Sequence, residues 1–373
     1  MNKPSEEIAE VSLIGTGGGY GESIVIHMGF NNWIVVDSCI DPYTKNNLPI
    51  EYLENLGVQI EEDVKLIICT HWHDDHIQGI SKLLERSSNA KFCMGHVSDR
   101  KKFLQLLMLD YKKVESQSSI SSTLELNKCL KILRSRNNQI SRAFQDRTLK
   151  KVQRGNIASE ILSLSPSDYV INEFDNEIFT MINDYGSNNR KILYQSPNDK
   201  SVALYLKLNK HRVLLGSDLE VSENREKGWI NILDNSQVID NKCSLFKIPH
   251  HGSINGYDPR IWDELICDKS ISKLTPWNRG NKLPTNEMLS FYQSCNNRLF
   301  MTPMQKKSNS PKKRNKSLKK AIYKFNPTLT EIKYNRGIIR SRVSLIEENP
   351  NWHIDLYDAA FEVTNEYIEN LNN

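Results

Sequence analysis

The chain has 373 residues, of which 38% are hydrophobic and 25% are charged, and its formal net charge at pH 7 is +4. This length predicts one large domain, or one domain with an insertion, and the composition is that of an ordinary soluble protein. No apolar run approaches the length needed to cross a bilayer and residues 1–7 are not a signal peptide, which excludes a transport channel and predicts no membrane contact.

Short strands open the chain. Residues 11–14, 24–27 and 33–37 are rich in β-branched residues and are separated by Gly or Asn turns, which predicts three strands. A helix over 50–56 follows, ended by the glycine after it. The glycine-rich segment 15–21 has two interpretations, because its amides can donate hydrogen bonds to a phosphate or its small residues can allow close packing between strands.

A cluster of metal-ligand residue types follows the apolar strand predicted over 64–69. The sequence there reads Thr70-His71-Trp72-His73-Asp74-Asp75-His76, which is an H-x-H-x-D-H spacing. Neighbouring side chains of a strand point to opposite faces, so several of these residues can reach one metal only from a loop. Imidazole and carboxylate ligands favour zinc, and with more oxygen ligands manganese or iron. The motif therefore predicts a metal site, followed by a helix over 77–86.

Residues 97–160 depart from the strand pattern. Leucine and phenylalanine recur at helical spacing over 103–109, and apolar residues do the same over 129–133. Nine Lys and Arg against one Asp make 128–154 strongly basic. We expect a helical insertion here, forming a lid or rim beside the metal site.

The second half of the chain again places polar residues after apolar strands. A strand over 161–164 and a hairpin of 205–208 and 212–215 are predicted, and the last of these strands runs into Asp218. A further apolar strand leads into the segment Pro249-His250-His251-Gly252-Ser253.

Charge is concentrated towards the end of the chain. Residues 303–343 carry thirteen Lys and Arg against one Glu, whereas 344–373 carry seven acidic residues and no Lys or Arg. Rows of Lys and Arg bind phosphate backbones by releasing counterions, although such a row is also typical of solvated surface. The candidate nucleic-acid-binding residues are Lys306, Lys307, Lys312, Lys313, Arg314 and Lys316. Two strands over 338–352 and an acidic helix over 359–371 follow, and the acidic tail either masks the basic segment or docks a partner protein.

In their order along the chain, these motifs resemble those of the metallo-β-lactamase-fold hydrolases. The resemblance covers residues 10–95 and 190–305 and includes the apolar strands that end in Asp37 and Asp218. It implies an α/β fold, namely an αββα metallo-β-lactamase sandwich, here with a helical insertion and a basic C-terminal extension. The glycine-rich segment, the Asn/Ser stretch over 198–204 and the Pro-His-His-Gly-Ser form are similar to the hydrolase domain of ComEC-type competence (DNA-uptake) proteins.

This resemblance divides the chain into four parts. Residues 1–96 are the first half of the metallo-β-lactamase-fold domain, and 97–160 are the helical insertion. Residues 161–305 are the second half of that domain. Residues 306–373 contain the basic segment, the last strands and the acidic C-terminal helix.

The resemblance also implies a metal centre. The expected cofactor is a divalent metal, zinc or manganese, as one or two ions, and the implied ligands are His71, His73, Asp75, His76, Asp218 and His251. Asp37 would orient a metal-binding His, because such carboxylates fix the tautomer of the ring. The His that the family usually places before the Asp218 strand is missing, and Asn198 or Asp199 are its candidate substitutes. We therefore expect one tight and one weak site.

Three residues are the candidates for chemistry, namely Asp75, His250 and Asp37. A bound divalent metal lowers the pKa of water and makes a hydroxide nucleophile. His250 would contact the substrate or protonate a leaving oxygen, since the unperturbed pKa of His lies near neutrality. His251 is assigned to the metal because it immediately precedes the glycine, and the reverse assignment of the two histidines stays open.

The predicted function is that of a metal-dependent hydrolase, a phosphodiesterase or nuclease acting on DNA or RNA. The same centre serves two alternatives: a hydrolase of a small substrate (a nucleotide second messenger, lactone or thioester), or a non-catalytic, metal-stabilised subunit of a defence or DNA-processing assembly. A stand-alone member of a DNA-processing group also suits antiviral defence. Seven cysteines without a C-x-x-C pair favour buried free thiols in a reducing cytoplasm. The sequence sets no oligomeric state.

Overall fold

Two eight-stranded β-sheets face each other, and helices cover the outer face of each sheet. The computed structural model describes residues 1–17, 21–115, 122–136, 140–183, 198–277, 281–295, 298–303, 306–307, 317, 320–321, 324, 332–333, 336–347 and 351–372. The layers follow the order helix, sheet, sheet, helix, which is the predicted αββα arrangement.

The first sheet carries the H-x-H-x-D-H motif. It contains strands β1 (Ile8–Gly15), β2 (Glu22–His27), β3 (Trp33–Val36), β4 (Val64–Cys69), β5 (Lys91–Gly95), β6 (Ser141–Ala143), β16 (Gly337–Ser344) and β17 (His353–Asp358). Their order across the sheet is β17-β16-β1-β2-β3-β4-β5-β6. Strands β3, β4 and β5 run parallel, so their C-terminal ends lie at one edge of the sheet. Asp37 follows β3 and the motif follows β4 at this edge.

The second sheet brings the remaining candidate ligands to its own edge. It contains β7 (Arg147–Arg154), β8 (Ile157–Ser163), β9 (Leu204–Leu208), β10 (His211–Leu215), β11 (Cys243–Lys247), β12 (Ile266–Leu274), β13 (Arg298–Met301) and β18 (Phe361–Glu362). Their order is β18-β13-β12-β11-β10-β9-β8-β7, and a separate pair consists of β14 (Lys306–Lys307) and β15 (Ile332–Lys333). β10 and β11 run parallel, so Asp218 and the His250-His251 pair follow neighbouring strand ends.

Helices pack on the outside of both sheets. Those on the first sheet are α1 (Leu48–Asn55), α2 (Ile60–Asp63), α3 (Asp74–Ile77), α4 (Ile80–Arg86), α5 (Arg100–Glu115), α6 (Ser122–Ser135) and α7 (Asp168–Asn183). Those on the second sheet are α8 (Gly228–Asn235), α9 (Asn286–Cys295) and α10 (Asn365–Asn372). Strand β3 is apolar throughout because both of its faces are buried. Trp33 and Val35 face the helices, whereas Ile34 and Val36 face the other sheet.

The region predicted as a helical insertion, 97–160, is helical only in its first part. α5 and α6 occupy it up to Ser135, but β6, β7 and the start of β8 lie within 141–160. β7 is an edge strand of the second sheet, and its exposed side chains include Lys151 and Arg154. Residues 147–154 of the basic stretch therefore form an edge strand, and charged side chains there keep the sheet edge from pairing with other chains.

The C-terminal strands belong to the two sheets, whereas most of the predicted basic extension lies outside the described residues. β16 pairs with β1, β17 pairs with β16, and β18 pairs with β13. Acidic residues of this region pair with arginines of the chain itself: Asp355 with Arg340, Asp358 with Arg336, and Glu362 with Arg298. Two of these acids, Asp355 and Asp358, thus pair with arginines of the basic segment, and the predicted acidic helix corresponds to α10.

Two further predictions concern membrane-spanning segments and the state of the cysteines. Across the described ranges, no helix combines the length and the apolar character that crossing a bilayer requires. All seven cysteines are free thiols, of which five are buried, while Cys267 and Cys295 are half-buried.

Candidate metal centre

The H-x-H-x-D-H motif leaves the first sheet at the C-terminal end of β4. His71 and His73 lie in the loop after the strand, whereas Asp75 and His76 lie in the single-turn helix α3. The expected loop position holds for His71 and His73 but not for Asp75 and His76, because the amide of His76 donates to the carbonyl of His73 and closes a helical turn. Gly79, with a φ of 82°, then allows α4 to start in a new direction.

Four residues without glycine's freedom adopt left-handed backbone conformations around the site, with φ between 46° and 57°. They are Asp37, Ser217, His250 and His251. Such conformations cost free energy and persist only where the surrounding structure imposes them, often at functional sites. The loops that carry Asp218 and the His250-His251 pair also pack closely, since a Cβ at Gly216 would lie 2.8 Å from Cβ of Pro249.

One group of four buried side chains is drawn from both sheets. It consists of Asp75, His76, Asp218 and His251, and one ligand atom of each lies within 4.8 Å of the others. Oδ2 of Asp218 lies 3.3 Å from Nε2 of His76 and 3.6 Å from Nε2 of His251. Oδ2 of Asp75 lies 3.5 Å and 3.3 Å from the same two nitrogens. Two carboxylates and two imidazoles at these separations suit a divalent transition metal.

A second group of potential ligands shares Asp218. His71, His73 and Asp218 also bring one atom each within 4.8 Å of the others. Nε2 of His71 lies 3.7 Å from Oδ2 of Asp218. His71 and Asp218 are buried, whereas His73 is half-buried and lines an open cavity. Asp218 is therefore the residue that can bridge two ions.

The inward-facing atoms of this cluster are not satisfied by the protein. Buried atoms without a hydrogen-bond partner among the described residues include Nε2 of His71, Nε2 of His76, Oδ2 of Asp75 and Oδ1 of Asp218. Burying a polar atom without a partner costs free energy, so such atoms are normally paired. A divalent cation would satisfy all four, and the donor set therefore fits a metal.

The outer nitrogens of the histidine rings are already engaged. Nδ1 of His76 donates to Oδ2 of Asp37 at 2.8 Å, and Nδ1 of His251 donates to the carbonyl of Thr275 at 2.9 Å. Nδ1 of His71 lies 3.0 Å from Oγ1 of Thr70, whose hydroxyl donates to Asp37. Each contact leaves the Nε2 lone pair for the metal, which is the usual arrangement around metal-binding histidines.

Asp37 supports this arrangement from behind the ligands. Its Oδ1 accepts the amide of Thr70 at 2.7 Å, and its Oδ2 accepts both the Thr70 hydroxyl and Nδ1 of His76. Burial raises the pKa of Asp37, while the hydrogen bonds from His76 and Thr70 act in the opposite direction. Asp37 thus fixes one ring directly and a second through Thr70.

The charged groups inside the cluster shift one another's pKa values. Burial disfavours protonation of His76, but the carboxylates of Asp218 and Asp75 outweigh burial and hold its pKa well above the usual range. Burial acts against ionisation of Asp218, yet His76 and His251 hold its pKa well below the usual range. Burial and the neighbouring His76 lower the pKa of His71. A divalent cation bound here would therefore displace protons from this cluster.

His250 faces the cavity and belongs to neither ligand group. Its Nδ1 lies 3.1 Å from Oε1 of Glu220, and its Nε2 lies 3.2 Å from Nδ2 of Asn198, which also donates to Glu220 at 2.9 Å. The Oδ1 atom of Asn198 is buried without a hydrogen-bond partner among the described residues, so it remains a candidate ligand. The side chain of Asp199 lies outside the described part. The sequence analysis missed Glu220, whose only signal is its position two residues after Asp218.

A cavity of about 420 Å³ opens over the cluster. Its polar floor includes His73, Asp75, Asp218, His250 and His251, and its walls include Trp72, Asn198, Trp277 and Leu283. Trp277 packs against the His251 ring with centroids 5.2 Å apart. The cavity gives a substrate access to both ligand groups.

The other predicted contacts lie mainly beyond the described residues. Lys312, Lys313, Arg314 and Lys316 are outside them, and Lys306 and Lys307 are described only as the backbone of β14. The described ends of the glycine-rich segment favour close packing over phosphate binding. A Cβ at Gly15 would lie 2.5 Å from Oγ1 of Thr302, and one at Gly21 would lie 2.5 Å from Cβ of Cys39.

Comparison with known proteins agrees with this architecture. The model of the metallo-beta-lactamase superfamily matches residues 16–102, which include the whole H-x-H-x-D-H motif. No curated protein matches the sequence. The family match and the two packed sheets identify the α/β fold as the metallo-β-lactamase sandwich, which confirms the predicted fold class.

The solved structures that match the chain are distant from it in sequence. The metallo-beta-lactamase fold protein YhfI from Bacillus subtilis is 14% identical, with 65% of this chain and 70% of that chain covered and a TM-score of 0.32. Metallo-beta-lactamase SMB-1 bound to 2-mercaptoethanesulfonate is 14% identical, covering 70% and 87%, with a TM-score of 0.33. The hydrolase AbOPH of the beta lactamase superfamily is 12% identical, covering 58% and 72%, with a TM-score of 0.34.

Proposed function

We propose that the chain is a metal-dependent hydrolase that cleaves phosphodiester bonds of DNA or RNA. The observation that carries this proposal is the buried cluster in which Asp218 joins two groups of His and Asp ligands. A catalytic metal needs an open coordination position. The half-buried His73 and the cavity above it supply that opening.

The residues of the cluster have separate tasks. The proposed ligands are His71, His73, Asp75, His76, Asp218 and His251. When bound, zinc or manganese supplies Lewis acidity and a water of lowered pKa, which hydrolysis of a phosphodiester at neutral pH requires. Asp37 holds the His76 ring in its metal-binding orientation. His250 contacts the substrate or protonates the leaving oxygen, and Oε1 of Glu220 lies 3.1 Å from Nδ1 of its ring.

The charge of the chain supports a nucleic-acid substrate. Thirteen Lys and Arg between residues 303 and 343 supply positive charge that a phosphate backbone attracts. Three of them, Arg336, Arg340 and Arg342, pair with carboxylates of the chain. The proposal therefore assigns phosphate binding to the lysine-rich part of the segment. The similarity of the Pro-His-His-Gly-Ser segment to ComEC-type hydrolases supports the same substrate class and a role in defence against foreign DNA.

A small substrate is the second candidate. The side chains of Trp72, Trp277 and Leu283 give the cavity partly apolar walls, which suit a compact aromatic or acyl substrate such as a nucleotide second messenger. A non-catalytic subunit is less favoured, because two ligand groups and their supporting hydrogen bonds are present together. Seven free thiols support a place in the reducing cytoplasm.

The test is cleavage of labelled single- and double-stranded DNA and RNA with Mn²⁺, Mg²⁺ or Zn²⁺. Asp75→Ala and His251→Ala should abolish cleavage, while His353→Ala, which changes an exposed histidine, should not. A triple Ala variant at Lys312, Lys313 and Arg314 should bind nucleic acid more weakly. The slope of its salt dependence should fall by about one for each phosphate that the variant no longer neutralises.

Two results would decide against the nuclease. Metal-loaded protein that cleaves no nucleic acid but hydrolyses a cyclic dinucleotide, lactone or thioester would move the assignment to the small substrate. Metal-loaded protein that cleaves none of these would favour the non-catalytic subunit.

A further inference from the structure

A buried ion pair next to the metal centre joins the two sheets. Lys247 ends β11 of the second sheet, and Glu22 begins β2 of the first sheet. Their side chains are 1% and 3% exposed, and Nζ of Lys247 lies 2.6 Å from Oε1 of Glu22. Neither residue is among the predicted ligands or catalytic groups.

Lys247 also contacts the loop that carries the shared carboxylate. Its Nζ donates to the carbonyl oxygen of Ser217 at 3.2 Å, and the amide of His250 donates to the same oxygen at 2.9 Å. Ser217 precedes Asp218 and has a left-handed φ of 47°. A carbonyl held by two donors fixes the peptide plane between Ser217 and Asp218, and with it the direction in which Asp218 leaves the backbone.

Glu22 lies against ligands of the first sheet. Its Oε1 is 3.9 Å from Nδ1 of His76. The preceding Gly21 packs on the metal loop, because a Cβ there would lie 3.3 Å from the carbonyl oxygen of Asp75. The ion pair therefore connects the backbone beside Asp75 and His76 with the backbone beside Asp218.

We propose that Lys247 and Glu22 are positioning residues that set the metal affinity of the centre by holding Asp218 in place relative to His76 and Asp75. The inference rests on the metal centre of the proposed function and not on its substrate. Contacts that orient metal ligands typically change metal affinity by about 10–100-fold. A buried ion pair is otherwise weak evidence for stability, because neutral residues of similar volume often replace it without loss.

The neighbouring strand offers a matched control. Lys273 of β12 is the registered partner of Lys247 and is equally buried, at 1% exposure. Its Nζ donates to the backbone carbonyls of Val11 and Ile339, at 2.7 Å and 3.2 Å, and within the described part of the chain it makes no hydrogen bond or ion pair with a proposed metal ligand. Lys273→Met therefore removes a buried lysine without removing a support of Asp218.

The experiment measures Zn²⁺ affinity by competition with a chromophoric chelator, and folding by circular dichroism and thermal unfolding. Four variants are compared with the unchanged chain: Lys247→Met, Glu22→Gln, the double variant Glu22→Gln/Lys247→Met, and Lys273→Met. We expect Lys247→Met to weaken Zn²⁺ binding by about 10–100-fold. The double variant should regain thermal stability but not Zn²⁺ affinity, and Lys273→Met should leave that affinity unchanged.

The outcomes separate a positioning role from a structural one. Equal loss of Zn²⁺ affinity in Lys247→Met and Lys273→Met, or recovery of affinity in the double variant, would overturn the inference. If Lys247→Met does not fold, Glu22→Gln decides, and unchanged Zn²⁺ affinity in that variant counts against the pair. An unchanged chain that binds no divalent metal would refute the proposed function together with the pair, whereas metal binding without hydrolysis would refute only the proposed function.

Discussion

Asp218 belongs to both ligand groups of the metal centre, but the other ligands of the two groups differ in number and burial. Asp75, His76 and His251 add three buried side chains from both sheets, whereas the other group adds His71 and the half-buried His73. Asp37 holds the His76 ring directly but reaches His71 only through Thr70. A fuller, more rigid ligand set binds metal more tightly, so the first group should hold its ion and the second should exchange it.

This difference matters for chemistry as well as affinity. The group of Asp75, His76, His251 and Asp218 is buried, which suits it to keeping an ion permanently. The group of His71, His73 and Asp218 opens to the cavity, which suits it to admitting water and a substrate oxygen. His73, half-buried on the cavity floor, therefore lies on the side of the centre that a substrate reaches. The two groups should respond differently to loss of a single ligand.

Removal of the shared ligand should have the largest effect. Asp218→Ala takes a carboxylate from both groups, and we expect less than one ion per chain and a loss of hydrolysis of at least ~100-fold, because even supporting contacts change metal affinity by 10–100-fold. Metal analysis of the purified protein and the hydrolysis rate measure this. Asp268→Ala, which changes an exposed aspartate, is the control. Full metal content in Asp218→Ala would show that Asp218 is not a metal ligand.

Loss of one unshared ligand should distinguish the groups. His251→Ala should weaken the tighter ion by about 100-fold, whereas His73→Ala should leave that ion bound and weaken only the second, with hydrolysis falling about 10-fold. Stepwise metal titration of both variants measures the two affinities separately. Identical titration curves for the two variants would show that the groups are equivalent.

Asp37 should have a smaller effect on both groups. Asp37→Asn keeps the shape of the side chain but removes the charge that orients His76, so we expect metal affinity about 10-fold lower, more at the tighter site than at the weaker one. The same titration measures this. A larger loss of metal affinity at the weaker site would mean that Asp37 supports that site more than the tighter one, contrary to this expectation.

A change far from both groups should affect stability alone. His27 is buried, its Nδ1 donates to the carbonyl of Ile8, and its Nε2 accepts the amide of Asn31. Burial lowers the pKa of His27 from 6.5 to about 4. The unfolded chain therefore binds a proton between these pH values that the folded chain does not, and up to about 3 kcal/mol of stability is lost as the pH falls from 6.5 towards 4.

Urea unfolding of His27→Gln at pH 7 and pH 4.5 measures this contribution. The variant should lose less stability on acidification than the unchanged chain, while its Zn²⁺ affinity at pH 7 stays the same. An equal loss of stability in both proteins would mean that His27 is already charged in the fold. This variant also separates acid unfolding from protonation of the metal ligands.

Much of the site could be predicted because its residues follow apolar strands. Asp37 and the H-x-H-x-D-H motif follow the parallel strands β3 and β4, which end at a common edge, and Asp218 lies three residues after the end of β10. The strands themselves followed from their apolar, β-branched composition, including Val64–Cys69 with its observed bounds. The ligand groups that these residues form depend on the packing of two sheets, which no local pattern describes.

The remaining features depend on distant partners. Lys247 is one lysine in an otherwise apolar segment, and its meaning comes from Glu22 on the other sheet. In the sequence Glu220 is indistinguishable from other loop carboxylates, and only its contacts with His250 and Asn198 identify it as part of the site. The four basic residues of β7 indicate an edge strand only once its neighbour β8 is known. The sequence could not separate these cases from exposed charge.

The most direct test of the account is native mass spectrometry of the metal-free chain titrated with Zn²⁺ or Mn²⁺. Two unequal sites predict that a one-ion form accumulates first and that a two-ion form follows at metal concentrations at least about 10-fold higher. His73→Ala should stop at the one-ion form. A chain that never binds metal, or that takes up two ions with no one-ion form, would contradict the unequal two-group centre.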